Sequence, residues 1–373
     1  MRTGAILMLL ALPLNALFGW DQKTIIIVTG ILVMLYSMLG GIKAVMWTDA
    51  IQGIVLITGA VVCALVITFS MPEGPRQLFE IAGQNNKFGL GSFGPGLRDS
   101  TFWVVLVYGL FINMQNYGID QNYIQRYMTT GTDREAKWSA MFGSLLYIPV
   151  SMLFFFIGTA LFAYYTASPG LLPSELMAAG SGDKIFPHFI IHGLPAGITG
   201  LLIAAIFAAG MSTVSTSLNS TATIIFTDYY KRYFNKEADE RSSMRVLYLS
   251  SFVTGVAGIG IALALVGVES ALDAWWSLAS IFSGGMLGLF LLGFISHKTR
   301  KAEAVAGVIT GVILIVWMSL SPVLFKEGRL VAFSSPFHTN LTIVFGTLTI
   351  FLVGFVSTLL ITKGKNREKG FLT

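Results

Sequence analysis

The 373-residue chain is 54% hydrophobic and only 12% charged, with a mean hydropathy of +0.73. Those values exclude a large water-soluble domain and indicate an integral membrane protein. The net charge of +5 belongs to basic loops between apolar segments, so no nucleic-acid partner is expected.

A hydrocarbon core of roughly 30 Å asks for apolar runs of about 20 residues. Ten such runs are visible, at 3–18, 24–41, 46–70, 102–121, 138–166, 196–227, 246–267, 274–296, 302–320 and 339–362. None alternates with period two, the pattern of a transmembrane barrel. The expected fold class is therefore an all-α integral membrane protein with about ten transmembrane helices. Sixteen of the 24 lysines and arginines fall on one set of alternate loops and the C-terminal tail. The positive-inside rule places that set, and the C-terminus, in the cytoplasm of a cell that carries the chain in its plasma membrane.

In chain order, Met1 to Phe18 has one basic residue before an apolar run, which suits either a signal peptide or a helix lacking its beginning. Residues 40–56, GGIKAVMWTDAIQGIVL, suggest a tight Gly-Gly turn before a new helix. Asp49 and Gln52 there have capping-box spacing, so Asp49 is either an N-cap or a carboxylate ligand just inside the membrane. Residues 71–101 form a long external loop. In 102–128, Asn113, Gln115, Asn116, Tyr117, Gly118 and Asp120 interrupt an apolar helix. They mark either an unwound, solute-exposing break at membrane depth or a helix end at the interface. Asp120 and Arg126 are expected to pair. Pro149 suggests a kink in 138–166. The stretch DKIFPHFIIHGLPAG, in an external segment at 167–195, has the character of a lid or surface helix.

The segment Leu201 to Lys231 opens as a plain membrane helix, with no charge from Leu201 to Thr213. Ser212, Ser215, Thr216, Asn219 and Thr223 then recur at three- and four-residue steps, forming one polar stripe at about 100° per residue. Hydrocarbon does not reward such a stripe, so it faces protein, water or an ion. Neutral hydroxyls and carbonyls suit a hard cation such as Na⁺. The alternative is that each hydroxyl bonds back to its own helix or to a neighbouring one. Further on, Gly284, Gly285 and Gly288, and Gly307 with Gly311, allow close helix packing. Trp275 and Trp276 suit an interfacial aromatic belt. Cys63 is the only cysteine, the four histidines are scattered, and neither a Walker A loop nor a nucleophile–base set is visible. Neither an enzyme nor ATP-driven transport is expected.

GGIKAVMWTDAIQ, YGIDQNYIQRYMTTGTDREA, DKIFPHFI and AAIFAAGMSTVSTSLNSTAT–DYYKR resemble the sodium:solute symporter family, in order and over nearly the whole chain. That family includes sodium-coupled transporters of sugars, proline, sialic acid, iodide, vitamins and monocarboxylates, and has a LeuT-like fold of two inverted five-helix repeats. The resemblance implies a single transporter domain over 1–373: residues 1–70 are the remainder of the first repeat, 102–296 the second, and 302–373 peripheral helices and a tail. It further implies that the N-terminal core helices are missing. It carries the principal sodium site onto Ala209, Ser212 and Thr213. A second sodium falls on Asp49, Ser215 and Thr216 together with Ser212, which favours the ligand reading of Asp49. Asn113 falls where sugar transporters contact substrate, and Asn116 falls at their inner tyrosine gate, so that tyrosine is absent. The lysine that contacts sugar is also absent near Leu145, Leu146 and Tyr147. Arg2 resembles an arginine that pairs with the carboxylate of sialic acid. The implied activity is sodium-coupled import of a small polar or anionic solute across the lipid bilayer, with Na⁺ as coupling ion. Sialic acid or a monocarboxylate ranks ahead of a sugar. The alternative is a non-transporting membrane fragment or a sensor-type domain.

Overall fold

Hydrocarbon supplies no hydrogen-bond partners, so a spanning backbone must satisfy its own polar groups. The computed structural model, which describes residues 2–177, 182–267, 285–325 and 328–370, is helical, with no strand among those residues. The helices are α1 (Arg2–Phe18), α2 (Gln22–Phe69), α3 (Pro75–Gln84), α4 (Phe102–Ile119), α5 (Gln121–Tyr127) and α6 (Asp133–Ala167). They continue with α7 (Gly182–His192), α8 (Ala196–Ile224, prolonged as a π-helix over Ile225–Phe234), α9 (Glu240–Ala264), α10 (Met286–Ile295), α11 (Lys301–Leu324) and α12 (Leu341–Gly370).

Seven described segments are long and apolar enough to cross a membrane, from Val45–Phe69 to Leu341–Ile361. Three shorter apolar helices, Arg2–Asn15, Gln22–Met38 and Met286–Ile295, fall within the runs at 3–18, 24–41 and 274–296, the last of which is described only from residue 285. Large side chains such as Phe142, Phe155 and Leu249 stay exposed. Apolar side chains exposed to a bilayer carry no hydrophobic penalty.

Three local expectations are corrected. The helix does not end at Gly40-Gly41: α2 runs from Gln22 to Phe69, and its axis bends there, because Ser37 and Asp49 both reach the Ser215–Thr216 turn of α8. Asp49 is therefore interior to a helix and cannot be its N-cap; Asp21 caps α2 instead, its Oδ2 accepting from Thr24 N at 3.0 Å. The polar stretch in 102–128 is not unwound at Asn113–Gly118: α4 continues through it to Ile119, and the break falls at Asp120. The loop at 71–101 contains α3, started by Pro75 at its first position. Pro149 lies within an unbroken α6. Trp275, Trp276 and Gly284 lie outside the described residues.

The chain divides into two compact units. The first, Met1–Gly89 with Gln125–Ala274, holds two apolar clusters. One gathers Cys63 and Ile67 of α2, Leu78 of α3, Ala160 of α6, Phe189 of α7 and Leu202 of α8. The other gathers Leu7 and Ala11 of α1, Ile26 and Val33 of α2, Val214 and Leu218 of α8, and Ala262 of α9. Helices α2 and α8 thus contribute to both clusters, and they pack along each other. Small residues permit the closeness: a Cβ added at Gly59 of α2 would meet Ala205 and Leu202 of α8 at 3.1 Å. The second unit, Leu90–Ile124 with Trp275–Thr373, packs α11 on α12. There a Cβ at Gly307 would meet the Ile350 carbonyl oxygen at 2.6 Å, and one at Gly311 would meet the Ile350 side chain. That is the close glycine packing expected of Gly307 and Gly311.

Candidate functional site

Most hydroxyls of α8 bond back along their own helix. Ser217 donates to the Thr213 carbonyl, Thr221 to Ser217 and Thr223 to Asn219, each at 2.8 Å. Such bonds give a Ser or Thr inside an apolar helix a partner at no tertiary cost. They account for part of the polar stripe without any ligand.

Two features stand apart, one a convergence of such back-bonds and the other a contact between helices. Ser212 Oγ and Thr213 Oγ1 donate to one shared acceptor, the Ala209 carbonyl, at 2.9 and 3.0 Å. Each hydroxyl spends its proton on that oxygen and keeps its lone pairs, so neutral oxygen donors are gathered at one point of the helix. This is the chemistry a hard cation takes, without a fixed charge in the bilayer. Ser215 is fully buried and donates to the Ser212 carbonyl at 3.0 Å.

The second feature joins three helices of the first unit. Arg126 Nη2, from α5, donates to Asp49 Oδ2 on α2 at 2.6 Å and to Thr216 Oγ1 on α8 at 2.9 Å. Thr216 Oγ1 in turn donates to the same Oδ2 at 3.3 Å. The other carboxylate oxygen, Asp49 Oδ1, is buried without a partner, as is the neighbouring Gln52 Oε1. A buried acceptor without a donor is costly, and a water or an added cation would satisfy it. The expected pair of Asp120 with Arg126 is thus replaced by Asp49 with Arg126. Asp120 Oδ1 instead accepts from Asn122 N and Nδ2 at 2.8 and 2.7 Å.

Sequence reasoning missed a set of bonds that latch α2 to α8. Tyr36 OH donates to the Met211 carbonyl at 3.0 Å, and Ser37 Oγ to the Ser215 carbonyl at 3.4 Å. Asn219 Nδ2 donates to both Ser37 Oγ and the Ser215 carbonyl at 3.0 Å. The only signal was that Tyr36 and Ser37 are polar residues in an otherwise apolar run. Gln125 adds a further bond to Ser220 Oγ at 2.8 Å.

The structure therefore brings Ala209, Ser212 and Thr213 together, and separately Asp49 and Thr216, with Ser215 one residue away on α8. The substrate candidates belong to different units. Arg2 opens α1 in the first unit, with no ion-pair partner among the described residues. Asn113 and Asn116 lie on α4 of the second unit; Asn113 is exposed and donates to the Gly109 carbonyl at 2.7 Å. Between them Gln115 is 4% exposed, with its Oε1 unpartnered.

Fold and site together define a multi-pass helical membrane protein with an oxygen-rich interior helix. Comparison with known proteins narrows that class: residues 4–311 match the model of the sodium:solute symporter family, and the chain belongs to that family. It is 35% identical to the sodium/sialic acid symporter SiaT of Proteus mirabilis, over 84% of this chain and 63% of that protein. It is 31% identical to the sodium/sialic acid symporter NanT of Aliivibrio fischeri, over 99% of this chain and 70% of the other. With the sodium-coupled monocarboxylate transporter 2 of Bos taurus it shares 29% identity, over 91% and 54%. The solved substrate-bound outward-open state of a Na⁺-coupled sialic acid symporter superposes with a TM-score of 0.85 and 31% identity, covering 96% of this chain and 71% of that one. The likeness gives the chain the LeuT-like transporter fold. The chain spans under two thirds of the length of SiaT.

Proposed function

We propose that the protein is a sodium-coupled symporter that imports a small carboxylate-bearing solute, of the sialic acid or monocarboxylate kind, by alternating access. The convergence of Ser212 Oγ and Thr213 Oγ1 on the Ala209 carbonyl carries the reading. These are the positions the family resemblance assigned to the principal sodium ion. Asp49, Ser215, Thr216 and Ser212 would hold a second one, and the orphan Asp49 Oδ1 supports it. Arg2, Asn113 and Asn116 are the proposed solute contacts. An arginine facing a carboxylate offers paired N–H donors, which favours an anionic solute. The alternate-loop bias of Lys and Arg supports a cytoplasmic C-terminus. Coupling follows from linkage: if sodium and solute both favour one conformation, each raises the other's affinity by the same factor.

The test is uptake of labelled sialic acid, pyruvate, lactate, proline and glucose into proteoliposomes, with and without an inward sodium gradient. Sodium-driven accumulation of an acid, lost in Ser212→Ala, is the expected result. Accumulation that ignores sodium, or that favours glucose over every acid, would overturn the reading.

A further inference from the structure

The proposed transport cycle leaves α7 unused. Lys184, His188 and His192 recur on it at four-residue spacing, which sets all three along one face of the helix. That face, with Asn15 from α1, lines a cavity of about 240 Å³. Leu12 and Ile191 supply part of its apolar wall. The two imidazoles lie with ring centroids 4.5 Å apart, and His188 Nε2 is 3.4 Å from the Leu171 carbonyl oxygen. The Asn15 amide is held by donating to the Trp20 carbonyl at 2.7 Å. Among the residues whose side chains the structure describes, no carboxylate lines the cavity and none pairs with Lys184.

An ammonium, two imidazoles and an amide around one hollow form a donor-rich lining of positive sign, and apolar walls accept a carbon skeleton. A transition metal between the imidazoles fits less well. Lys184 would stand one turn away with like charge, and no cluster of three metal-ligating side chains exists among the described residues. The volume equals that of about eight waters, enough for a small organic acid. We propose that the cavity between α1 and α7 is a binding site for a small carboxylate-bearing organic anion, separate from the sodium ligands of α8. That its occupant is the transported solute, received before it enters the pathway, rests on the symport reading; the anion preference does not.

The test is thiol labelling of the full chain in proteoliposomes. Asn15→Cys places a thiol in the cavity, and Ile191→Cys places a second on the α7 wall in case the first disturbs the end of α1. Native Cys63 is wholly buried and stays in place. Rates are compared for a negatively charged and a positively charged methanethiosulfonate, each normalised to its rate with free cysteine. The negative reagent is expected to react roughly fivefold faster at both positions, as one nearby cation favours an anion and repels a cation. Lys184→Gln should remove most of that ratio. Millimolar N-acetylneuraminate or pyruvate should slow the labelling, and glucose should not. Equal or cation-favouring rates at both thiols, or a ratio untouched by Lys184→Gln, would overturn the proposal. If labelling prefers the anion and sodium-driven uptake is missing, the symport reading falls and the anion site stands. If uptake is present without the preference, the anion site falls alone.

Discussion

Arg126→Gln separates two effects of one guanidinium. In the structure Nη2 contacts both Asp49 Oδ2 and Thr216 Oγ1, two of the oxygens proposed for the second sodium ion. A tethered cation there competes with a free one. Unit charges about 4 Å apart attract by about 4 kcal/mol at an effective dielectric of 20 and by about 1 kcal/mol in water. The Arg126 side chain is 40% exposed and that of Asp49 only 10%, so solvent screening sets the net pairing at about 1–2 kcal/mol. Removing the guanidinium should lower the melting temperature in choline medium. It should also tighten sodium binding, because ~1–2 kcal/mol of competition corresponds to roughly a 5- to 30-fold shift. Arg126→Lys, which keeps the charge, should stay near the parent. The assay is a sodium titration of purified protein, followed by thermal unfolding and by radioactive sodium binding. A sodium midpoint that is unchanged or weaker in Arg126→Gln would refute the competition.

The principal site gives a sharper pair. Thr213→Ser keeps the hydroxyl that meets the Ala209 carbonyl and should retain sodium binding, whereas Thr213→Ala should weaken it by about tenfold or more, the loss of one ligand oxygen; the same titration reads both. Gly307→Leu forces side-chain atoms towards the Ile350 carbonyl that a lone Cβ would already approach at 2.6 Å. Overpacking of that kind costs about 1–3 kcal/mol and should appear as a lower melting temperature in detergent. At the start of α9, hydrogen bonds from the Ser242 hydroxyl and backbone hold the Asp239 carboxyl below the usual carboxylate range. A lowered folded-state value stabilises the helix start above the ordinary carboxylate value and is lost as pH falls through the lowered one. Protection factors in the first turn of α9, each taken against the intrinsic exchange rate at the same pH, should therefore fall on acidification, and Asp239→Asn should flatten that dependence.

The apolar runs were legible because the bilayer imposes one rule on every span, and a helix of about 20 apolar residues satisfies it locally. Gly40-Gly41 marked the place where α2 changes course, since Ser37 and Asp49 meet the same turn of α8, but the expected new helix start did not follow, because the helical backbone carries on through the bend. Asp49 and Gln52 looked like a capping box because that spacing is also the i,i+3 spacing of one helix face. Asp120 was matched to Arg126 by nearness in sequence. The observed partner, Asp49, is brought there by the packing of α2, α5 and α8, which no local pattern encodes. The same holds for Tyr36 and Ser37, whose acceptors are carbonyls of a distant helix. The hydroxyl stripe announced polar chemistry on α8, but only coordinates separate the residues that merely cap their own helix from Thr216, which reaches across.

The clasp of α2 on α8 has a mechanical consequence. Ser37 donates to the Ser215 carbonyl and accepts from Asn219, while Asp49 accepts from Thr216, which lies between those two. Two well-separated residues of α2 thus meet one turn of α8. A straight helix rising about 1.5 Å per residue would set them about 18 Å apart, too far for that. Instead α2 bends around the turn and holds it from a neutral side and a charged side together. A shift of the Ser215–Asn219 turn therefore strains both holds at once, and the oxygens proposed for sodium move as one block.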